Sequence, residues 1–224
     1  LSANLGDKSN LDSLLLPGLD PAGVPKNLEG TVLPFKYNDY EHLETLVKNS
    51  NIGVIKMEVM RNDEPQNNFL SKVRDLANKH GIVLIFDECT SGFRETYGGL
   101  HKKFDVEPDM AMYGKALGNG YAITAIVGKK EIMEAAQSSF LSSTFWTERI
   151  GPSAALKTLQ IMESKRSWDE ISQIGKSIKE DWRSLANKHD LDIHITGLSA
   201  LPSFSFKTDD NLKYKTFITK VMLK

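Results

Sequence analysis

From residue 38 onward the chain alternates between two hydrophobic rhythms. In NDYEHLETLVKN the apolar residues Leu43, Leu46 and Val47 fall at helical spacing, which predicts a helix with one inward face. Ile52 to Glu58, IGVIKME, is apolar and β-branched and predicts a strand. PQNNFLSKVRDLANKH returns to the helical period, with Phe69, Leu70, Val73, Leu76 and Ala77 inward. Lys79 and His80 fall in its last turn and Gly81 is the stop. IVLIF comes next, a buried strand by its length and composition. A strand, a helix and a strand with short joins make a βαβ unit, and a parallel sheet is its natural home, because a parallel return needs a crossover. Further strands are predicted at MAMYG and AITAIVG, and helices from about Gly151 to Glu163 and from Trp168 to His189. LDIHI, PSFSFK and a last helix complete the series.

Two stretches break the rhythm. Residues 1 to 38 are rich in proline and read as irregular. SKRSW, from Ser164 to Trp168, is polar and interrupts two helices, so a domain boundary is placed between residues 165 and 166. LANKH occurs at Leu76 and again at Leu185, each time closing a helix before a strand. These are two similar helix ends rather than a repeat architecture.

Composition narrows the function classes. The 224 residues carry a net charge of −1, which leaves no electrostatic footprint for nucleic acid or an anionic membrane. No apolar stretch approaches the ~20 residues that span a bilayer. Cys89 is the only cysteine, which rules out an internal disulfide and fits a reducing cytoplasm. The chain begins at Leu1 and stops within YKTFITKVMLK, and we expect a fragment with sequence missing at both ends.

Three segments could carry chemistry, and we place them at the C-terminal ends of apolar strands, the edge where open α/β sheets bind ligands. In IVLIFDECTSGFR, Asp87 follows five apolar residues, and a carboxylate there needs a cation or donors. It is either a capping or salt-bridging aspartate, or the partner of a protonated heterocyclic nitrogen or a metal. Metal is the weaker reading, since Glu88 points to the opposite face and no histidine lies nearby in sequence. Lys115 sits among Gly114, Gly118 and Gly120. It is either a solvated surface lysine or a Schiff-base lysine, with glycines that let a flat ligand approach the backbone. A Walker loop is excluded, since no Gly-Lys-Ser/Thr is present. In SSTFWTERIGPSAALKTL, Ser142, Ser143 and Thr144 precede a helix predicted to start at Pro152, where hydroxyls and amides either cap the loop or hold an anion such as phosphate.

Taken together, FDECTSGFR, VEPDMAMYGKALGNGYAITAIVG and SSTFWTERIGP resemble the class III aminotransferases, pyridoxal-phosphate enzymes of fold type I. The branch they are most similar to is glutamate-1-semialdehyde aminomutase and its relatives among sugar and polysaccharide aminotransferases. The resemblance covers most of residues 50 to 165. It implies an α/β fold, a three-layer sheet with helices on both faces, as an incomplete cofactor-binding large domain over residues 1–165. Residues 166–224 would open a smaller C-terminal α+β domain.

The resemblance also implies roles. Lys115 would form the Schiff base with pyridoxal 5'-phosphate and shuttle the proton, and Asp87 would bond the pyridine nitrogen and keep it protonated. Cys89 stands where the family usually has valine packed on the ring, and lacks a histidine partner that would make it a nucleophile. Thr144 matches a threonine that reaches the cofactor phosphate of the neighbouring subunit, which implies a homodimer with shared sites. Glu58 matches the acid that closes the preceding strand, though Val59 replaces the usual proline. Arg94 matches the arginine of GFR and receives no substrate role, a structural salt bridge being at least as good a reading. Trp146 stands where aminomutases carry a serine, which favours an aminotransferase, with a small-molecule amino donor and a carbonyl acceptor. The alternatives are intramolecular transfer by an aminomutase and, outside enzymes, a catalytically silent scaffold or binding module.

Overall fold

The structure is a computed structural model and describes residues 25–28 and 30–223. The chain divides between Ile52 and Gly53 into two units. The irregular stretch expected over residues 1–38 lies, for its first 24 residues, outside the described ones. The described part of the first unit holds a single 3-10 turn, Lys26–Leu28, and then helix α1, Tyr40–Asn49. Asp39 caps α1 by accepting the His42 N–H at 3.0 Å, as a short acidic side chain at that position does. Leu43 and Val47 are buried and Leu46 is half-buried, so the helical spacing marks the inward face.

The second unit begins with strand β1, Val54–Met57, then helix α2, Phe69–His80, and strand β2, Val83–Asp87. In α2 the five residues expected inward are the five buried ones, and Gly81 ends the helix with φ 64°, a left-handed turn that glycine adopts without steric cost. Strand β3, Met110–Tyr113, and strand β4, Ala125–Gly128, complete a four-stranded sheet in the order β1-β2-β3-β4. β1, β2 and β3 are parallel, whereas β3 and β4 are antiparallel, so the sheet is mixed. The short helix α3, Lys130–Glu134, comes directly after β4.

Helices α4, Ile150–Lys165, and α5, Ser167–Lys188, are joined by Arg166 alone, in the left-handed region with φ 51°. α4 starts two residues before Pro152, which the first turn tolerates because its amide has no intrahelical partner. Strands β5, Ile193–Thr196, and β6, Ser203–Phe206, pair as an antiparallel hairpin, and helix α6, Asn211–Met222, ends the described chain. Contacts cross the interruption at Arg166: the Ala200 N–H donates to Glu95 Oε1 at 3.0 Å, and the Tyr97 and Trp168 rings lie 5.6 Å apart. Among the described residues no helix is long and apolar enough to cross a membrane.

The pleat sorts the strand residues. Ile55, Met57, Leu84, Phe86, Ala111 and Tyr113 alternate with more exposed neighbours and are buried. Ala155 of α4 packs with Ala111, Tyr113 and Leu117, with Leu159 beside them. The opposite set, Lys56, Ile85, Asp87 and Met112, is exposed or only partly buried.

One carboxylate ties the start of β3 to its neighbours. Asp109 Oδ2 accepts the Leu84 N–H at 2.7 Å and the Arg74 guanidinium at 2.9 Å, while Oδ1 accepts Lys129 at 2.7 Å. Burial alone would raise this carboxyl. The Leu84 amide, Lys129 and Arg74 outweigh burial and hold it below its ordinary value of 3.8. A folded-state value below the unfolded one stabilises the fold above about pH 4, and that stability is lost as pH falls through the folded value. In the full-length protein, Asp109→Ala is expected to cost about 3 kcal/mol at pH 7, because it strands the buried Leu84 amide and the largely covered Arg74 guanidinium. Urea unfolding should show the difference from wild type shrinking as the pH is taken down to about 3.

Candidate active site

β2 ends on Asp87, and the pleat decides what the next residues face. Phe86 and Glu88 are fully buried, and Asp87, between them, stands on the more open face. Glu88 Oε1 accepts the His101 N–H at 3.0 Å and pairs with His101 Nδ1 at 2.9 Å, and its other oxygen takes the Ser91 hydroxyl. Burial by itself would raise the Glu88 carboxyl, but His101 and Ser91 outweigh it and hold it below its ordinary value. A histidine thus does reach this segment, from 13 residues away, and it serves Glu88 on the buried face rather than Asp87. Among the described residues no cluster of three His, Cys, Asp or Glu is placed to hold a metal.

On the open face Asp87 Oδ1 accepts the Cys89 N–H at 3.2 Å and Oδ2 pairs with Lys56 at 2.9 Å. Burial pushes Asp87 up, while Lys56 and the Cys89 amide together bring it below its ordinary value. Glu58, just beyond β1, is shifted the other way: burial, aided by the charge of Asp87, lifts it in spite of Arg61, Lys115 and Lys56. Cys89 is likewise pushed up by burial and by Asp87, which makes its thiolate scarce and a nucleophilic role unfavourable.

Lys115 lies just past β3, after Gly114, and occupies a single 3-10 turn, Lys115–Leu117. Its φ is 45°, in the left-handed region, where a side-chain-bearing residue is strained by about 1–2 kcal/mol. Strain of that kind concentrates at functional positions. The ammonium donates to Thr90 Oγ1 at 2.6 Å. A Cβ placed on Gly114 would lie 3.6 Å from Cys89 Sγ, so the start of the Lys115 loop runs beside the segment just after Asp87. The turn closes tightly, since a Cβ on Gly118 would stand 2.1 Å from the Tyr121 carbonyl oxygen.

An open cleft of about 730 Å³ adjoins Lys115, with Phe93, Arg94, Tyr121, Lys157 and Ile161 on its walls. Asp87, Cys89 and Thr144 do not line it. Arg94 Nε donates to the Thr90 carbonyl at 2.7 Å, and among the described residues no carboxylate forms an ion pair with it. The structural salt bridge that was one reading of Arg94 is therefore replaced by a bond to backbone.

Thr144 lies elsewhere, in a run of exposed residues from 137 to 147. The Ser143 hydroxyl accepts the Phe145 N–H at 3.1 Å. The first amides of α4 are already taken, because Glu148 accepts from both Ile150 and Gly151. The helix start is thus capped by a carboxylate of the chain itself, and Ser142, Ser143 and Thr144 stand apart from it.

Lys56, Thr90 and His101 join this geometry without having been singled out in the sequence. Lys56 had a signal: it is the only charge in the strand VIKM, in phase with Asp87 on the pleat. Thr90 and His101 had none, since only the turn after β2 brings them to Lys115 and Glu88.

Residues 62–223 match the aminotransferase class-III family. Over 207 residues, 88% of it, the chain is 36% identical to a 3-aminobutyryl-CoA aminotransferase of Cloacimonas acidaminovorans (strain Evry), of which it covers 50%. Over 95% of its length it is 30% identical to a glutamate-1-semialdehyde 2,1-aminomutase of Prosthecochloris aestuarii, of which it covers 51%. Among solved structures, the pyridoxal-phosphate internal aldimine form of the FumI protein of Sphingopyxis sp. MTA144 superposes with a TM-score of 0.78 at 24% identity, over 85% of this chain and 48% of that one. The chain belongs to the class-III aminotransferase family, and it spans about half the length of the curated relatives it matches. Its α/β fold is that of this group.

The Gly118 turn offers a direct test of how the lysine loop is held. In the full-length protein, Gly118→Ala is expected to lower stability by about 1–3 kcal/mol, since the Tyr121 backbone must move. Denaturant unfolding measures that loss, and limited trypsin digestion should cut after Lys115 faster than in wild type.

Proposed function

We propose that the full-length protein is a pyridoxal-phosphate-dependent aminotransferase that moves an amino group from a small amino donor to a carbonyl acceptor. The observation that carries this reading is the convergence of Asp87 and the strained Lys115 at the C-terminal ends of adjacent parallel strands, in one electrostatic cluster with Glu58. Pyridoxal phosphate, when bound, supplies a reactive carbonyl and an electron-withdrawing ring.

The residues suit such a group. Lys115 is exposed, donates to the Thr90 hydroxyl and can present its amine to a carbonyl. Asp87, held ionised and partly open, would accept a hydrogen bond from the protonated nitrogen of a heterocycle. Gly114 brings bare backbone beside Cys89, where an added Cβ would stand 3.6 Å from the sulfur. The neutral form of Lys115 would then take and return the substrate proton. Residues 1–165 belong, in this reading, to the large cofactor-binding domain and residues 166–224 begin the small one.

We further propose a homodimer in which Thr144 contributes to the phosphate site of the neighbouring subunit. Phe140, Phe145 and Trp146, which are 95%, 74% and 68% exposed around it, support a covered surface. The single cysteine suits a cytoplasmic enzyme. The same side chains would serve intramolecular transfer, the reaction named for the Prosthecochloris relative. Trp146 in place of the aminomutase serine favours transfer between two molecules.

Full-length protein mixed with pyridoxal phosphate is expected to show a visible absorbance band that Lys115→Ala abolishes, together with nearly all turnover. Asp87→Ala should keep the covalent attachment at Lys115 and lose about a hundredfold or more in single-turnover rate with an amine donor, as loss of a charge-stabilising group does. Wild-type turnover in Lys115→Ala would overturn the mechanism, and a protein with no band would be the silent scaffold. Light scattering should give twice the mass of one full-length chain, and a monomer would remove the role given to Thr144.

A further inference from the structure

β1 is the four-residue strand VIKM, and its one charge is half-exposed on the more open face of the sheet. The parallel register sets Lys56 against Ile85, so Asp87, two residues further on, is its diagonal neighbour on the same face. The ammonium closes that diagonal, with Nζ 2.9 Å from Asp87 Oδ2. Oδ1 is held by the Cys89 amide at 3.2 Å. A carboxylate offers about four lone-pair positions, so with one partner on each oxygen it can still accept another donor. Its orientation, however, is no longer free.

The titratable groups around Asp87 come from each neighbouring element: Lys56 and Glu58 from β1 and its end, the Cys89 thiol from the turn after β2, and Lys115, which acts with Asp87 on both Glu58 and Cys89, from the loop after β3. Burial favours a protonated Asp87, and a protonated carboxyl lacks the negative charge that holds a protonated nitrogen. Lys115 is engaged with Thr90. Lys56 is the cation in direct contact.

We infer that Lys56 is a positioning residue for Asp87: its ammonium fixes the direction of the carboxylate and keeps it ionised, ready for the protonated nitrogen of a bound heterocycle. The inference rests on the cofactor reading above for its purpose, but the pairing itself is a property of this chain. An exposed lysine that merely happened to lie near an aspartate would be screened by water and contribute little. Here the aspartate is only 24% exposed, and a second acid stands beside it.

The test is a carboxyl ¹³C NMR titration of the full-length protein without cofactor, with the Asp87 signal assigned by its loss in Asp87→Asn. The expected result is an upward movement of the Asp87 midpoint in Lys56→Met, and a return toward wild type in Lys56→Arg, which restores the charge. Lys56→Gln repeats the measurement with a polar side chain, and circular dichroism checks the fold of each variant. An unmoved midpoint in a folded Lys56→Met or Lys56→Gln protein would overturn the inference, as would a shift of equal size in Lys56→Arg. The titration needs no pyridoxal phosphate, so its outcome stands apart from the absorbance test of Lys115. A shifted midpoint with no visible band would refute the aminotransferase reading and leave the Lys56–Asp87 pair intact.

Discussion

The alternation of Phe86, Asp87 and Glu88 across the end of β2 is the constraint on which the site depends. Three consecutive residues cannot share a face of extended backbone, so burying Phe86 commits Glu88 inward and Asp87 outward. The inward acid must be paired to be tolerated, and His101 and Ser91 do that. The outward acid is left available at the edge of the sheet. Two adjacent acidic residues therefore have opposite fates for one geometric reason.

Parallel pairing turns a single outward acid into a site. β2 and β3 run the same way, so the segments just after Asp87 and Tyr113 emerge at the same edge. Lys115 arrives there after one glycine, in a backbone conformation that few lysines adopt, and the tight turn at Gly118 holds it. Asp109 anchors the other end of β3 to β2, α2 and the start of α3, which fixes the strand against which that loop is displayed. The cations and acids at the edge are interleaved, Lys56 with Asp87 and Lys115 near Glu58, and that pattern divides a raised carboxyl from a lowered one within a single cluster.

The exposed segment around Thr144 behaves differently from this edge. It carries large apolar side chains into solvent and leaves the start of α4 to be capped by Glu148. Large apolar side chains gathered on one exposed loop mark a surface suited to being covered by other protein, and the proposed role of Thr144 assigns that cover to a second subunit.

Sequence alone determined the elements whose period was long and uninterrupted. The five inward residues of α2, its glycine stop and the two helices flanking Arg166 were all legible, because helical spacing and capping are local properties of the chain. Asp87 and Lys115 were legible for a related reason: a charge at the end of an apolar run is conspicuous wherever the run folds. Tertiary structure alone decided which partners those charges meet. Lys56 reaches Asp87 through strand register, Thr90 reaches Lys115 through the turn after β2, and His101 reaches Glu88 across 13 residues. It also decided that β4 runs against β3, because the glycine-rich loop that presents Lys115 returns the chain on the same side of the sheet rather than crossing over it.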